Sequence, residues 1–397
     1  HLKSFFDTYL DTKKNDLRSS NYNKIKLSYS DSQSEFQNLF PTPFDILKSL
    51  IEFLEILESF SIKVNKKKEK IDKIFYQEFN INYNQLIQLI NTFEKSISNE
   101  NNWIKWVTIF KNSKNNNTSL NIAPFDVALF LYENLFSKFS GGVVCSATLT
   151  VEFNFDYIRQ QIGLDYLKSE KEIIESIYQS PFHYEDQVKL FVWDSDVNIN
   201  SNTFIQRIGN QINMISDKIQ RRILVLCTSY KQTTALRDYL KPKFQKDDRI
   251  LFTQTIGGNR DSLLSGYLKH KRSVLIGTSA FWEGVDLPGD KVELLILLKV
   301  PFSNPSDPMI KAQIDNYDAI GKNPFIEFQV PDATVKLKQG FGRLIRNLDD
   351  SGICILADPR IVRTKYGSII LDSLPVPYEL YQHASKIIYS AESFFGN

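Results

Sequence analysis

Short apolar runs alternate with amphipathic helical patterns from about Gln187 to the end of the chain, and this alternation constrains the fold more than any other feature. The runs are nearly continuous in Val, Ile and Leu: KLFVW, RILVLC, ILFTQ, SVLIGT, VELLILLKV and ICILAD. Strands that are buried on both faces have this composition, and helical connections make neighbouring strands parallel. The pattern therefore predicts an α/β domain in which helices cover both faces of a parallel sheet.

Polar motifs follow several apolar runs. Thr228-Ser229-Tyr230 follows ILVLC, and Thr278 follows SVLIG. Ser146 follows GGVVC, a run that predicts another buried strand ending in a loop. In open parallel sheets, ligands bind at the carboxyl ends of the strands. We therefore expect the motifs of the chain to gather at that edge.

The segment QGFGRLIR, Gln339 to Arg346, places Arg343 and Arg346 three residues apart. If the segment is helical, both guanidinium groups project from one face. Two forked, permanently charged donors suit the oxygens of a transferring phosphoryl group. A surface helix with two solvated arginines is the alternative that this segment leaves open on its own.

The order of these motifs resembles the C-terminal half of superfamily 2 helicases, closest to the DinG branch of the DinG/XPD group. SATLT resembles motif III, VLCTSY motif IV, GTSAFWEGVDLPG motif V and QGFGRLIR motif VI. The resemblance extends from about Trp103 to Pro375. It implies a helical arch-like insertion with a terminal β-hairpin over 1–125, the end of a first RecA-like motor domain over 126–180, and a second RecA-like motor domain over 181–397.

The resemblance also implies a nucleotide site that is shared with a first motor domain. By this resemblance, Arg343 and Arg346 are expected to stabilise the transferring phosphoryl group, and Gln339 is expected to order the γ-phosphate or the attacking water. Further candidates that link the nucleotide to the grip on a strand are Glu283, Gly284, Asp286, Gly342, Asp358 and Arg360. Capping or salt-bridging carboxylates remain an alternative for the two acidic residues of motif V, and a structural ion pair remains one for the last two residues.

Hydroxyls and amides in the loops are expected to contact nucleic-acid phosphates, which carry no sequence information. The candidates are Ser146, Thr148, Thr150, Thr228, Ser229, Tyr230, Thr278 and Ser279. Ordinary turns at strand ends are the alternative for each hydroxyl. We expect the ring of Tyr230 either to stack on a base or to pack in the protein interior. Net charge is only +2, so any binding groove must come from local clustering.

The sequence contains no Gly-x-x-x-x-Gly-Lys-Ser/Thr and no Asp-Glu-Ala-His. We interpret the chain as a C-terminal fragment whose ATP and Mg²⁺ are bound mainly by a missing N-terminal half. A degenerate protein that lost its P-loop is the alternative. We expect no metal ligands and no iron–sulfur cluster here, because the cysteines lack ligand spacing. Cys145, Cys227 and Cys354 each lie in or beside an apolar run, which favours buried thiols.

Upstream, apolar residues recur at three and four positions from Thr42 to Phe93, which predicts three helical segments. The segments WIKWVTIF and SLNIAP flank a turn and predict a hairpin. No stretch is long enough to span a bilayer, so we expect the compartment to be the cytoplasm or, in a eukaryote, the nucleus. We also expect a monomeric protein.

Together these features and the resemblance predict part of an ATP-dependent DNA helicase that acts on single-stranded or forked DNA and is inactive as a fragment. The resemblance implies 5′–3′ polarity. The alternatives are a non-catalytic nucleic-acid-binding module and a DinG-like exonuclease with a helicase-like domain.

Overall fold

The computed structural model describes residues 24–26, 42–66, 73–98, 102–111, 116–246, 248–255, 259–278 and 292–396. The chain divides into two compact units. The first comprises His1–Lys138 with Asn304–Lys322, and the second comprises Phe139–Ser303 with Asn323–Asn397. The predicted domain limits stay a prediction.

Two long helices and a small antiparallel sheet make up most of the first unit. The helices are α1, Thr42–Lys66, and α2, Lys73–Ile97. The predicted third helical segment is the second half of α2, because the apolar pattern continues without a break.

The sheet of the first unit has the order β1-β2-β3. Its strands are β1, Lys24–Lys26, β2, Trp103–Lys111, and β3, Asn116–Pro124. The pairing of Trp103 with Pro124 and of Lys111 with Asn116 confirms the predicted hairpin. Helix α3, Val127–Asn134, follows the hairpin and begins at the cap Asp126, whose carboxylate accepts from the Leu129 amide.

The second unit is built on a seven-stranded, wholly parallel sheet with the order β10-β4-β9-β8-β5-β7-β6. Its strands are β4 Val188–Trp193, β5 Ile223–Leu226, β6 Ile250–Thr253, β7 Ser273–Gly277, β8 Leu294–Leu297, β9 Gly352–Leu356 and β10 Tyr378–Tyr381. The predicted α/β class is confirmed.

The helices of the second unit alternate with these strands. They are α4 Asp156–Ile162, α5 Tyr184–Gln187, α6 Asn202–Lys218, α7 Tyr230–Phe244, α8 Arg260–Lys269, α10 Val330–Phe341, α11 Arg360–Arg363, α12 Lys365–Asp372 and α13 Ala384–Phe395. Helix α9, Pro308–Ala319, interrupts this order and belongs to the first unit.

Both faces of the parallel sheet are buried, as the apolar runs predict. Within β5, Leu224 and Leu226 pack in one core cluster, whereas Ile223 and Val225 pack in the other. Successive side chains of a strand point to opposite faces, so one uninterrupted apolar run supplies both clusters. The sheet is therefore a rigid layer that holds its connecting loops in fixed positions.

Strand β10 is absent from the sequence prediction. Its sequence YELY is short, and only Tyr381 of the four side chains is buried. The strand lies at one edge of the sheet and pairs with β4 alone. An edge strand that is exposed along most of its length gives no apolar run to detect.

The prediction of a buried strand at GGVVC is wrong. Residues 141–146 form no strand, and Val143 is 90% exposed. A strand needs a neighbour to satisfy its backbone groups, and the described residues provide no such neighbour here. The prediction for Cys145 fails with it, since this thiol is exposed. Cys227 and Cys354 are buried as predicted, and burial raises the pKa of Cys227 to about 12.

The tight approach of α12 to Ile361 generates a stability prediction. A Cβ added at Gly367 would overlap the backbone carbonyl of Ile361, whereas a Cβ at Gly342 would make only ordinary contacts at 3.5 Å and 3.7 Å. We expect Gly367→Ala to lower the free energy of unfolding by at least about 2 kcal/mol, because backbone must move. Gly342→Ala should change it by less than about 0.5 kcal/mol. Urea unfolding of both variants measures this, and equal stability would contradict the packing described.

Candidate functional site

The residues predicted for the site lie at two opposite edges of the parallel sheet. Thr228, Thr278 and Asp358 follow the carboxyl ends of β5, β7 and β9. Arg343 and Arg346 precede the amino end of β9. All strands run the same way, so these two groups lie on different sides of the sheet. The expectation that every motif gathers at the carboxyl edge is therefore wrong for QGFGRLIR.

The expected helical placement of both arginines is also wrong. Helix α10 ends at Phe341, and Gly342 is its C-cap. Glycine at 340 and 342 disfavours continuation, since each costs about 1 kcal/mol in a helix interior. Gly342 has a φ of −63° and is exposed, so its conformation does not require glycine.

Beyond the helix, the backbone of Arg346 is held by a carboxylate. Asp350 accepts hydrogen bonds from the amides of Arg346 at 2.8 Å and Asn347 at 2.7 Å. The side chain of Gln187, next to β4, donates to the carbonyls of Leu348 and Asp350 at 2.8 Å. Burial lowers the pKa of Arg346, and the charge of Asp350 opposes that shift. The loop that carries the arginines is thus tied to the amino edge of the sheet.

Gln339 lies in the last turn of α10, next to a half-buried lysine. The ammonium group of Lys338 donates to the carbonyl of Thr150 at 2.8 Å and to its hydroxyl at 3.3 Å. Burial lowers the pKa of Lys338. The amide of Glu152 also donates to the Ser373 hydroxyl, at 3.1 Å. The end of SATLT is therefore attached to α10, a contact that sequence reasoning did not predict.

Asp358, which is buried, and Arg360, which is partly exposed, form an ion pair at the carboxyl end of β9. Asp358 is 1% exposed and accepts from the Arg360 guanidinium at 2.6 Å and from the Val300 amide at 3.0 Å. Burial lowers the pKa of Arg360, but the hydrogen bond and charge of Asp358 outweigh it, so that pKa is raised. The guanidinium also lies 5.6 Å from the ring centroid of Phe302. These contacts support the structural alternative for this pair.

The loop after β5 is organised as a helix cap. Ser229 accepts from the Gln232 amide and begins α7, while Thr228 donates its hydroxyl to the Gln232 side chain at 2.9 Å. Serine at an N-cap satisfies one of the free amides of the first turn. The donors of Thr228 are used inside the loop, whereas the side chain of Tyr230 is 39% exposed.

Gln254 connects the ends of three neighbouring strands and was missed by sequence reasoning. Its side-chain oxygen accepts from the Thr278 amide at 2.7 Å and from the Thr278 hydroxyl at 2.9 Å. Its side-chain nitrogen lies 3.2 Å from the Tyr230 hydroxyl. Thr278 is only 4% exposed, so its hydroxyl is part of this network. The available signal was a polar residue directly after the run ILFT.

The remaining candidates are less closely defined. Ser146 and Thr148 are partners of each other, at 3.4 Å between their hydroxyls. Ser279, Glu283, Gly284 and Asp286 lie outside the described residues. Over the described ranges, no cluster of three or more His, Cys, Asp and Glu residues could hold a metal ion. In the same residues no helix is long and apolar enough to cross a membrane.

Comparison with known proteins gives a consistent result. The family model for a helicase C-terminal domain matches residues 212–376. The ATP-dependent DNA helicase YoaA of Haemophilus influenzae is 32% identical over 339 residues, which cover 85% of this chain and 49% of that protein. The ATP-dependent DNA helicase DinG of Photobacterium profundum is 33% identical over 265 residues, which cover 64% of this chain and 37% of that protein.

A second kind of relative is the 3′-5′ exonuclease DinG of Bacillus subtilis. It is 31% identical over 275 residues, which cover 68% of this chain and 29% of that protein. The chain thus spans about half, or less, of the length of these relatives. The matched helicase domain contains β5 to β9 and every described candidate from Thr228 to Arg360. The chain therefore contains a helicase C-terminal domain, and its homologues include the DinG and YoaA ATP-dependent DNA helicases.

Proposed function

We propose that the chain is part of an ATP-dependent DNA helicase that moves 5′ to 3′ along single-stranded DNA and opens forked duplexes. One observation carries the proposal: two chemically distinct sets of residues occupy opposite edges of one buried sheet. The loop that carries Arg343 and Arg346 lies at the amino edge, and the hydroxyl-bearing residues Thr228, Ser229, Tyr230 and Thr278 lie at the carboxyl edge. A motor needs one surface for a nucleotide and another for its track, with a rigid body between them.

At the amino edge, the residues of this chain suit one side of a nucleotide site whose other side is a P-loop domain. Arg343 and Arg346 offer forked donors for phosphoryl oxygens, and Gln339 offers an amide beside them. ATP and Mg²⁺ supply the phosphoryl group and its counter-charge when they are bound by a P-loop domain. The part of this chain is to stabilise charge on the transferring group.

At the carboxyl edge, the surface suits a track that is read without sequence preference. The loops after β5, β6 and β7 present Thr228, Ser229 and Tyr230 near the hydrogen-bonded pair of half-buried Gln254 and buried Thr278. Contacts from such groups to phosphates position a strand but do not identify its bases. A motor that walks along any sequence requires this property.

The two edges are connected through the layer between them. Lys338 attaches Thr150 to α10, the helix that ends beside the arginines. Asp358 joins the loop after β8 to the end of β9. We propose that these contacts transmit domain closure between nucleotide and DNA, as in other hinged motors.

Two other functions remain as alternatives. A non-catalytic binding module would use the carboxyl edge and make no use of the arginines. An exonuclease would need a catalytic centre, and the described residues offer no metal-binding cluster in support of one. We further propose that the protein works as a monomer in the cytoplasm, where DNA is accessible.

The first prediction concerns turnover. The 397-residue chain alone should show no DNA-stimulated ATP hydrolysis, because its sequence contains no P-loop. A phosphate-release assay with and without single-stranded DNA measures this. Robust turnover that Arg346→Ala abolishes would contradict the division of the nucleotide site proposed here.

A second prediction concerns the arginines in a protein that joins this chain to a P-loop-bearing first motor domain. Arg343→Ala and Arg346→Ala should each lower kcat for ATP by about a hundredfold or more, with smaller effects on nucleotide binding. Lysine should not restore the rate, since it lacks the planar fork. Arg207→Ala is the control, because Arg207 pairs with Asp196 at the surface. Near-normal rates for both alanine variants would remove the arginines from the mechanism.

A third prediction concerns binding to DNA. The chain should bind single-stranded oligonucleotides of different sequence equally, with a Kd of about 10⁻⁴ to 10⁻⁶ M. The affinity should fall steeply as salt rises, since phosphate contacts release counterions. Fluorescence anisotropy over a salt series measures both properties. A strong preference among sequences, or an affinity that salt leaves unchanged, would refute a phosphate track.

A further inference from the structure

We propose that Gln254 is a positioning residue that turns the hydroxyl hydrogen of Tyr230 outward, toward a phosphate oxygen of single-stranded DNA. The inference rests on the proposed function and extends it to a residue outside the family motifs considered above. It is carried by a hydrogen-bonded chain with a fixed direction: Thr278, Gln254 and Tyr230, one residue from each of three neighbouring strand ends.

The direction of these hydrogen bonds is determined at Thr278. A backbone N–H can only donate, so the Gln254 atom that lies 2.7 Å from the Thr278 amide must be the side-chain oxygen. The Thr278 hydroxyl, 2.9 Å from the same oxygen, donates to it as well. The side-chain amide of Gln254 therefore has a single orientation, with its oxygen toward Thr278 and its nitrogen toward Tyr230.

This orientation determines the role of the Tyr230 hydroxyl. The Gln254 side-chain nitrogen can only donate, so at 3.2 Å the Tyr230 oxygen accepts from it. The hydrogen of the hydroxyl is then left for another acceptor, and the described residues supply none in the contacts around Tyr230. This exposed hydroxyl is prevented from turning inward, so its hydrogen is available to solvent or to a bound ligand.

Thr278 and Gln254 hold this hydrogen-bonded row in place at the end of β7. Thr278 is 4% exposed, and the backbone amide of Gln254 donates to the carbonyl of Ile276 at 2.9 Å. Backbone and side chain of Gln254 are thus both attached to the end of β7. Fixing a donor before the ligand arrives lowers the entropy that binding must overcome.

A phosphodiester is the acceptor that this position suits. Tyr230 is the first residue of α7 and lies on the edge that we assign to the DNA track. Hydrogen bonds to a charged acceptor are stronger than those between neutral groups. One directed donor also gives no information about the base, in agreement with a track that accepts any sequence.

A double-mutant cycle on the 397-residue chain tests the inference, with anisotropy of fluorescein-labelled oligothymidylate as the readout. Tyr230→Phe should weaken binding by about three- to tenfold, the size expected for one hydrogen bond. Gln254→Met, which keeps the length of the side chain but not its amide group, should weaken binding by a similar factor. The double variant should bind no more weakly than either single variant, because Gln254 acts through the hydroxyl.

Tyr239→Phe is the matched control, since its hydroxyl lies on the same helix and donates to Asn210 at 2.6 Å. Its affinity should equal that of the wild type. If Gln254→Met does not fold, Gln254→Glu replaces it: the carboxylate accepts from both Thr278 and Tyr230, so the hydroxyl turns inward. The effect of the added charge is the same with and without the Tyr230→Phe substitution, so it cancels in the cycle.

Three results would overturn the inference. Unchanged affinity of Tyr230→Phe would show that its hydroxyl donates to no phosphate. Multiplied losses in the double variant would show that Gln254 acts independently of Tyr230. Failure of the wild-type chain to bind DNA at all would contradict the proposed function itself, and this inference with it.

Discussion

The wholly parallel direction of seven hydrogen-bonded strands is the constraint on which the second unit depends. Each connection between parallel strands crosses one face of the sheet, so helices cover both faces and the central strands are apolar throughout. The sheet therefore separates the loops at its amino edge from the loops at its carboxyl edge. This separation is why Tyr230, Gln254 and Thr278 lie together while Arg346 and Asp350 form a separate network.

A few polar groups inside this layer have structural roles of their own. The carboxylate of Asp358 is nearly inaccessible, and it is stable there because the Arg360 guanidinium and the Val300 amide satisfy it. Removing Arg360 would leave the buried Asp358 carboxylate without its counter-charge. Lys338 is half-buried, and its partners are the uncharged oxygens of Thr150.

Much of this architecture could be predicted from the sequence, because burial on both faces leaves a strong apolar signal. The strand at ILVLC and the helix that follows it were predicted within a few residues. The signal fails where an element depends on partners distant in the sequence. GGVVC has the composition of a strand, yet a strand exists only when another strand accepts its hydrogen bonds, and Val143 is exposed.

The site shows the same limit. Spacing alone suggested that Arg343 and Arg346 share a helix face, but the glycines and Asp350 end the helix before them. Gln254 belongs to no motif, and its importance appears only when three strand ends are brought together. Hydrogen-bond direction is a property of that assembly rather than of any segment within it.

The central claim is that DNA lies on the carboxyl edge of the sheet and not on the edge that carries the arginines. Photo-crosslinking of a thiothymidine-containing single strand to the chain, followed by peptide mapping, tests it most directly. The account predicts that cross-linked peptides contain Tyr230 or the residues around Gln254, and that free competitor DNA removes them. Cross-links confined to the loop from Arg343 to Asp350, or to helices α1 and α2, would contradict it.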